Sequence, residues 1–279
     1  MTAEVTLLVL AAALMHASWN ALIRASGDKT FDTVLIAAGS AVIAAPIVIF
    51  LPLPAAESLP YLAASVAIHV LYFTALAAAY QAGDLSQAYT LMRGSAPLLV
   101  AGFGTLVLGE RLTPAMWLGV ALISAGVVAT GWIRRERSRA ADRALAWAIV
   151  NAFVIMAYTL VDGAGVRLAG NAAAYTLWIF LLDAVPLVAF VAWRRPQQSA
   201  AYAVRYWRRA LLGGVFQLGA YCIALWAMTR APIAAVSALR ETSVIFAAVL
   251  GTALLKERFG VWRIGTAVMV VLGIVALRY

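Results

Sequence analysis

The fold of this chain is decided by a stretch that occurs twice. Residues 91–111 read LMRGSAPLLVAGFGTLVLGER, and residues 238–258 read ALRETSVIFAAVLGTALLKER. A shift of 147 residues aligns 69–132 with 216–279 without a gap, and 13 of the 64 pairs are identical, including Arg93/Arg240, Gly104/Gly251, Thr105/Thr252, Glu110/Glu257, Arg111/Arg258 and Gly126/Gly273. Shared apolar composition accounts for matched leucines and alanines, but hardly for two arginines and two Glu-Arg pairs. The sequence therefore predicts an internal repeat.

The composition around this repeat is that of a membrane protein. Hydrophobic residues make up 65% of the 279 residues and charged residues 12%, against about 45–50% and about 25% in soluble domains. Stretches of about 20 apolar residues can cross a bilayer as helices, and helices satisfy their own backbone hydrogen bonds in lipid. Ten such spans are predicted, near 5–24, 31–51, 59–81, 85–108, 113–132, 144–162, 172–192, 209–229, 232–254 and 260–277.

These spans predict an all-α integral membrane fold made of two five-helix repeats. The first repeat covers 1–133, an Arg-rich linker covers 134–143, and the second repeat covers 144–279. Because each repeat has an odd number of spans, the second must enter the membrane upside down. Inverted repeats are typical of secondary transporters, which bind substrate near the bilayer midplane between the repeats.

The loop charges predict an orientation. Of the 21 Lys and Arg residues, 15 fall on one side of the predicted membrane and 4 on the other. By the positive-inside rule the richer side is cytoplasmic, which places loops 133–143 and 193–208 in the cytoplasm of a bacterium and both termini outside its inner membrane. The net charge of +9 is then explained by contacts with anionic lipid headgroups, and we expect no nucleic-acid partner.

Short motifs carry a resemblance to a known family. The first repeat contains Pro97, Leu108-Gly109-Glu110, Trp117-Leu118-Gly119 and Gly126-Val127, and the first span contains His16-Ala17-Ser18-Trp19-Asn20-Ala21-Leu22. This pattern resembles EamA-type domains of the drug/metabolite transporter superfamily, occurring twice over the whole chain. The second copy departs from the pattern, with Lys256 before Glu257 and Val244 in the place of Pro97. The resemblance implies a ten-helix exporter of amino acids or related metabolites, in the branch of aromatic-amino-acid exporters.

Two arginines are the first candidates for a substrate site. Arg93 and Arg240 each lie eight residues into a span, about 12 Å deep at 1.5 Å per residue, and they approach the midplane from opposite sides. Ionisable groups at such depth are costly and usually functional. The pair is expected to hold a substrate carboxylate by bidentate hydrogen bonds. The alternative is structural, with each arginine binding carbonyl groups or reaching back to an interface.

Polar and aromatic side chains in other spans complete the predicted cavity. His16, Trp19 and Asn20 share one face of the first span, and Asn151, Tyr158, Thr159 and Asp162 form a similar stripe on the sixth. Further candidates lie away from the interfaces, where aromatic residues usually collect; they are Tyr72, Tyr80, Tyr89, Trp178, Asp183, Gln217, Tyr221 and Trp226, with His69 nearby. Hydrogen bonding between packed helices is an equally good explanation of the two stripes.

Two ionisable candidates raise specific expectations. His16 is considered as a proton-sensitive group because imidazole titrates near neutral pH. Asp183 needs a partner inside the membrane, and a structural pair with Arg93 or Arg240 is slightly favoured over a substrate ammonium group.

Other function classes find less support in the sequence. There is no His-Glu-x-x-His motif, no cysteine cluster and no glycine-rich phosphate loop, so an enzyme acting on lipid is not favoured and no metal or cofactor is expected. A channel would need a filter segment, and none is recognisable. The sequence therefore predicts a monomeric carrier for small metabolites, with aromatic or apolar amino acids as the favoured substrates and drugs, cations or other metabolites as the alternative.

Overall fold

The computed structural model describes residues 1–82, 85–132, 139–255 and 261–279. Side chains are described in these ranges except at 74, 77–82, 85–88, 131–132, 139–141, 250–255 and 261–264. Most of the described residues lie in helices, and none of them lies in a β-strand. The helices are α1 (Ala3–Arg24), α2 (Lys29–Val48), α3 (Leu59–Ala82), α4 (Leu85–Val107), α5 (Pro114–Trp132), α6 (Arg139–Leu168), α7 (Ala172–Arg194), α8 (Pro196–Met228), α9 (Ile233–Arg240), α10 (Ser243–Leu255) and α11 (Val261–Ala276), with a short 3₁₀ helix at Ala56–Ser58.

The helices have the length and composition of a multi-pass membrane protein. In the described part of the chain, seven are long and apolar enough to cross a bilayer, namely α1, α2, α4, α6, α7, α8 and the 3₁₀–α3 segment Ala56–Phe73. Two shorter apolar stretches lie in α5 and α11. Large apolar side chains such as Leu106, Val185 and Phe190 are exposed on the outside of the bundle, as expected where lipid replaces water.

Local signals in the sequence fix several helix starts. The Asp28 carboxylate accepts hydrogen bonds from the backbone N–H groups of Thr30 and Phe31 at 3.1 Å. The Asn171 side chain accepts one from Ala174 N at 2.9 Å. Both residues satisfy N–H groups that have no partner within a helix. Pro196 stands in the first turn of α8, where its missing N–H costs nothing.

The structure corrects two predicted boundaries. The eighth span was placed at 209–229 with 193–208 as a loop, but α8 is helical from Pro196 and bends at Tyr206, whose φ is −117° and ψ is 19°. The early part of α8 reads PQQSAAYAVRYWRR over 196–209, and its glutamines, serine and arginines lower the hydropathy enough that an apolar window misses it. The sixth span, predicted for 144–162, corresponds to the longer helix α6, which begins at Arg139 and ends at Leu168, while 133–138 lie outside the described residues.

The predicted ninth span, 232–254, is two helices rather than one. α9 ends at Arg240 and α10 begins at Ser243. No proline or glycine marks this break in the sequence. Its cause is polar, because four consecutive side chains capable of hydrogen bonding, Arg240 to Ser243, are all buried.

Close approach between α5 and α11 depends on glycine. A Cβ atom on Gly273 would lie 2.9 Å from the Gly119 carbonyl oxygen, and one on Gly126 would lie 3.2 Å from the Thr266 carbonyl oxygen. Since residue numbers rise along one helix as they fall along the other, the two helices run antiparallel. Backbone atoms cannot yield to a side chain as a flexible group can, so the crossing tolerates only small residues.

Replacing Gly273 by alanine is expected to destabilise the protein by about 1–3 kcal/mol, the usual cost of overpacking. The matched control is Gly265→Ala in the same helix, because a Cβ at Gly265 meets nothing within 4 Å. The control gains helix propensity of up to about 1 kcal/mol. Thermal unfolding of both variants in one detergent measures the difference, and equal unfolding temperatures would contradict the proposed packing.

The remaining helices surround a polar centre. α3 packs along α6, and α1 packs along α8. α4 lies against α6, while α9 and α10 lie against α1. α2 contacts both α7 and α8. These contacts bring α1, α3, α4, α6, α8 and the α9–α10 break towards one another.

Candidate functional site

A buried ion pair occupies the α9–α10 break. Arg93 Nε on α4 lies 2.7 Å from Glu241 Oε2, and the two side chains are 3% and 4% exposed. The contact is an ion pair and not a hydrogen bond. Arg93 Nη2 lies 3.3 Å from His16 Nε2 on α1. The ion pair therefore links two helices of the first half of the chain to the broken helix of the second.

The backbone of the break complements these charges. Glu241 is followed by two tight turns, in which Val244 N donates to Glu241 O at 3.1 Å and Ile245 N donates to Thr242 O at 2.9 Å. Arg240 lies at the carboxyl end of α9 and Glu241 lies just before α10. A helix dipole favours a cation at its carboxyl end and an anion at its amino end, so both charges stand where the two dipoles stabilise them.

Arg240 differs from Arg93 in its surroundings. Its buried guanidinium lies over the ring of Tyr221, with its carbon 5.0 Å from the ring centre. Among the described residues, no carboxylate lies within 4.0 Å of it. A buried arginine that has an aromatic platform and no acidic partner is suited to bind an anionic group from outside the protein.

The same tyrosine connects Arg240 to a buried acid. The Tyr221 hydroxyl donates a hydrogen bond to Asp162 Oδ2 on α6. Asp162 is fully buried, and its Oδ1 has no hydrogen-bond partner among the residues that the structure describes. Within this part of the chain, Tyr221 thus separates an arginine without a carboxylate neighbour from a carboxylate with an unpaired oxygen.

A second acid, half-buried, lies on α7. Asp183 Oδ2 is 3.0 Å from His69 Nδ1, and Ser65 Oγ is 3.3 Å from the same nitrogen. The expected pair of Asp183 with Arg93 or Arg240 is therefore wrong. Asp183 pairs with His69 instead, and Arg93 pairs with Glu241. The Asp183 Oδ1 atom, like Asp162 Oδ1, is buried and accepts no hydrogen bond from the described part of the chain.

Aromatic rings form the wall beside these charges. The His69 ring lies 4.7 Å from Tyr158 and 6.4 Å from Tyr221, measured between ring centres. Tyr72 contacts Tyr158 at 5.7 Å, and Phe180 contacts Tyr221 at 5.8 Å. These groups come from α3, α6, α7 and α8. They give the centre an apolar surface next to its charged groups.

The structure brings together nine of the fourteen predicted site residues. They are His16, Trp19, Tyr72, Tyr89, Arg93, Tyr158, Asp183, Tyr221 and Arg240, joined by the contacts above, by His16 against Trp19 at 5.1 Å and by Arg93 over Tyr89 at 6.0 Å. Sequence reasoning placed Asp162 on the polar stripe of the sixth span without choosing it. It missed Glu241 altogether, although an acid beside an arginine in an apolar span was a usable signal.

The other predicted residues are engaged elsewhere. Gln217 accepts a hydrogen bond from Ser40 Oγ at 2.8 Å, in the α2–α8 contact. Trp226 lies near the end of α8 under the guanidinium of Arg230, at 5.3 Å. Asn20 donates to the backbone oxygen of His16 at 2.8 Å, and Trp178 packs against the apolar core. The side chain of Tyr80 lies outside the described residues.

Two further polar contacts join the halves of the chain at opposite ends of the bundle. Glu110 Oε1 accepts from Arg167 Nη2 at 2.7 Å and from Ile233 N at 2.9 Å, which caps the start of α9. At the other end, buried Asp32 accepts from Arg209 Nη1 at 2.9 Å and from the Tyr202 hydroxyl at 2.8 Å. The repeated Glu-Arg motif thus has a capping role in its first copy, while its second copy lies outside the described residues.

Comparisons with known proteins agree with this architecture. A solved crystal structure, titled only as a crystal structure of a protein, superposes with a TM-score of 0.72 at 16% identity, covering 98% of this chain and 94% of the other. This likeness concerns the fold. No curated protein matches in sequence. The model of the EamA-like transporter family matches twice, over residues 4–132 and 142–279. The chain therefore belongs to the EamA-like transporter family of the drug/metabolite transporter superfamily, and the family model matches each half of the chain once.

Proposed function

We propose that this protein is a secondary transporter that exports aromatic or apolar amino acids through a central site between its two repeats. The observation that carries the proposal is the pair of unlike groups on either side of Tyr221. Among the described residues, no carboxylate lies within 4.0 Å of Arg240, and Asp162 Oδ1 is buried without a hydrogen-bond partner. A zwitterion supplies both missing partners at once.

The chemistry of the site fits an amino acid in three parts. The planar guanidinium of Arg240 offers a fork of donors for a carboxylate. Asp162 and Asp183 offer acceptor oxygens for an ammonium group. The rings of Tyr72, Tyr158 and Phe180 offer apolar contact area for a side chain, in the manner of pockets for small molecules. An aromatic side chain gains most from such a wall.

We further propose that the chain crosses the membrane ten times as two inverted repeats, with α9 and α10 sharing one span. The contacts between helices support this arrangement because they come in reciprocal pairs. α3 packs on α6 as α1 packs on α8, and α4 packs on α6 as α9 and α10 pack on α1. The shift of 147 residues also relates Gly119 to Thr266 and Gly126 to Gly273, so the two close contacts in the α5–α11 crossing are exchanged by a two-fold axis.

The proposed orientation follows from charge. The ends of α7 and α8 that carry Arg194, Arg195, Arg205, Arg208 and Arg209 face the cytoplasm of a bacterial inner membrane under the positive-inside rule. Both termini then lie outside, consistent with the contact between the Met1 amino group and Arg278 O at 3.5 Å. The two repeats are covalently joined and enclose the site, so a monomer suffices.

Alternating access would use the two polar contacts between the repeats. Glu110–Arg167 lies at the proposed outer end and Asp32–Arg209 at the proposed cytoplasmic end. Each pair joins the first half of the chain to the second, so each must separate when its end opens. A site that is open to one side at a time requires that only one of the two pairs is broken in any state.

Counterflow in liposomes tests the proposed substrate class. Purified protein is reconstituted in vesicles loaded with unlabelled L-phenylalanine, and entry of labelled L-phenylalanine is measured. Phenethylamine lacks the carboxylate and 3-phenylpropionate lacks the ammonium group. Because each loses one charged contact worth about 2–5 kcal/mol, both are expected to compete at least about 30-fold more weakly than phenylalanine.

Other outcomes separate the alternatives. Phenethylamine competing as well as phenylalanine would make the protein an exporter of cations or drugs. Absence of counterflow for phenylalanine and for every other amino acid in a panel would contradict the amino-acid assignment.

A further inference from the structure

A strongly basic surface lies where α7 meets α8. Arginine occupies five positions in the range 194–209. Two of these arginines have acidic partners, since Arg209 lies 2.9 Å from Asp32 and Arg195 lies 3.6 Å from Asp28. Among the described residues, no carboxylate lies within 4.0 Å of the other three, which are Arg194, Arg205 and Arg208. This surface therefore carries three positive charges that the described part of the chain does not neutralise.

Each of these three arginines is exposed and lies beside an aromatic ring. The distances from guanidinium carbon to ring centre are 5.2 Å for Arg194 over Trp193, 5.5 Å for Arg205 over Tyr206 and 5.3 Å for Arg208 over Trp207. Trp193 is 75% exposed and Trp207 is 53% exposed. Tryptophan is enriched where lipid headgroups meet hydrocarbon. We call Trp193, Arg194, Arg205, Trp207 and Arg208 the α7–α8 corner.

The length of α8 places this corner at the level of the lipid headgroups. α8 has 33 residues, which corresponds to about 50 Å at 1.5 Å per residue, whereas the hydrocarbon core is about 30 Å thick. The surplus matches the polar amino-terminal segment 196–206, and the helix bends at the end of this segment, at Tyr206. The part of α8 that follows the bend is long enough to cross the bilayer by itself.

The other face of this segment is fixed to its neighbours. The Tyr202 hydroxyl donates to Asp32 Oδ1 at 2.8 Å, and the Tyr202 ring stacks on Phe31 with 5.0 Å between ring centres. The Ser199 hydroxyl donates to the backbone oxygen of Val191 on α7 at 3.3 Å. Because the segment is held on one side, the arginines on its outer side need little further ordering when they bind a ligand.

We propose that the α7–α8 corner is a binding site for anionic phospholipids, in which Arg194, Arg205 and Arg208 bind the headgroup phosphate. Guanidinium groups bind phosphate oxygens through paired hydrogen bonds. The occupant is a lipid and not a soluble anion, because the cations stand among large exposed apolar rings. The inference does not depend on which solute the protein carries.

Lipid binding to the purified protein tests this site. Native mass spectrometry from a neutral detergent measures the affinities for phosphatidylglycerol and for phosphatidylcholine with the same acyl chains. A cation near an anionic lipid surface gains about 1 kcal/mol, or about fivefold in affinity, so the wild-type protein is expected to prefer phosphatidylglycerol at least about 30-fold. Combined Arg194→Gln, Arg205→Gln and Arg208→Gln substitutions should abolish this preference. Lysine at the same three positions should retain part of it, because the charge remains.

The matched control removes three charges at the opposite end of the bundle. Arg111→Gln, Arg230→Gln and Arg278→Gln are combined, since these arginines are exposed and lie in three separate parts of the chain. The control should keep the wild-type preference within about twofold. Equal losses in the two triple variants would show a general attraction between basic residues and lipid, and would overturn the site. A wild-type protein that binds the two lipids alike would overturn it as well.

A soluble competitor separates the lipid from its headgroup. Glycerol 3-phosphate carries the phosphate without acyl chains, and we expect no displacement of phosphatidylglycerol at equal concentration. Displacement at that concentration would assign the three arginines to a soluble phosphate ligand and contradict a lipid site.

Hydrogen exchange of backbone amides locates the bound lipid. In nanodiscs, phosphatidylglycerol is expected to slow exchange over 196–206 at least about threefold relative to phosphatidylcholine, because a bound headgroup stabilises a segment that Tyr202 already holds against Asp32. The three glutamine substitutions in the corner should abolish this slowing. Slowing of the same size in that variant would place the lipid elsewhere and refute the proposal.

Discussion

Replacing Arg240 by glutamine is expected to lower phenylalanine counterflow by about 100-fold at subsaturating substrate, equivalent to about 2.7 kcal/mol. Arg240 is the buried cation with no acidic partner among the described residues, so its substitution removes the group proposed to bind the substrate carboxylate. Loss of one member of a buried, hydrogen-bonded charge pair typically costs about 2–5 kcal/mol. Arg240→Lys keeps the charge but loses the planar fork, and we expect about a tenfold loss.

Arg230→Gln is the matched control for this variant. Its guanidinium also lies over an aromatic ring of α8, that of Trp226 at 5.3 Å, but Arg230 is exposed. Counterflow of Arg230→Gln should stay within about twofold of wild type, because exposed charges contribute little. Equal losses in the two variants would show that the central position of Arg240 has no special role.

Replacing Arg93 by methionine is expected to destabilise the protein by about 3–5 kcal/mol, since Glu241 would remain buried and charged without its partner. Arg93→Met combined with Glu241→Leu should recover at least half of this loss, because an apolar pair of similar volume carries no unpaired charge. Unfolding free energies measured in mixed detergent micelles give both values. Equal stability of the single and double variants would contradict the direct pairing of these two side chains.

The pair of Arg195 with Asp28 provides the comparison. It is longer, at 3.6 Å, and its side chains are 57% and 38% exposed. Arg195→Met should change the unfolding free energy by less than about 1 kcal/mol. Burial, rather than the presence of an ion pair as such, thus decides the expected effect.

Much of the fold could be predicted because a helix that crosses lipid needs about 20 consecutive, mostly apolar residues. Apolar stretches of the right length, interrupted by charged loops, located most helices, and the repeated motif identified the family. The two arginines within spans also led to the centre of the molecule. A charge far from both ends of an apolar helix has few explanations other than a buried partner or a ligand.

The contacts between helices could not be predicted from the sequence pattern. The position of a residue along a span gives its depth in the membrane, but not the neighbouring helix that its side chain faces. Asp183 and the arginines lie at similar levels, yet His69 on α3 is the residue that reaches Asp183. The break at Glu241 could not be predicted because no proline or glycine marks it; it coincides with the buried polar residues Arg240 to Ser243, one of which pairs with Arg93 on another helix.

Binding of L-phenylalanine to the purified protein in lipid nanodiscs is the decisive measurement of the proposed site, because it needs neither a gradient nor a completed cycle. We expect saturable binding of one molecule per chain, reduced at least about 30-fold both by Arg240→Gln at the cationic side and by Asp162→Asn at the acidic side. Binding that survives both substitutions unchanged would contradict a substrate site between Arg240 and Asp162.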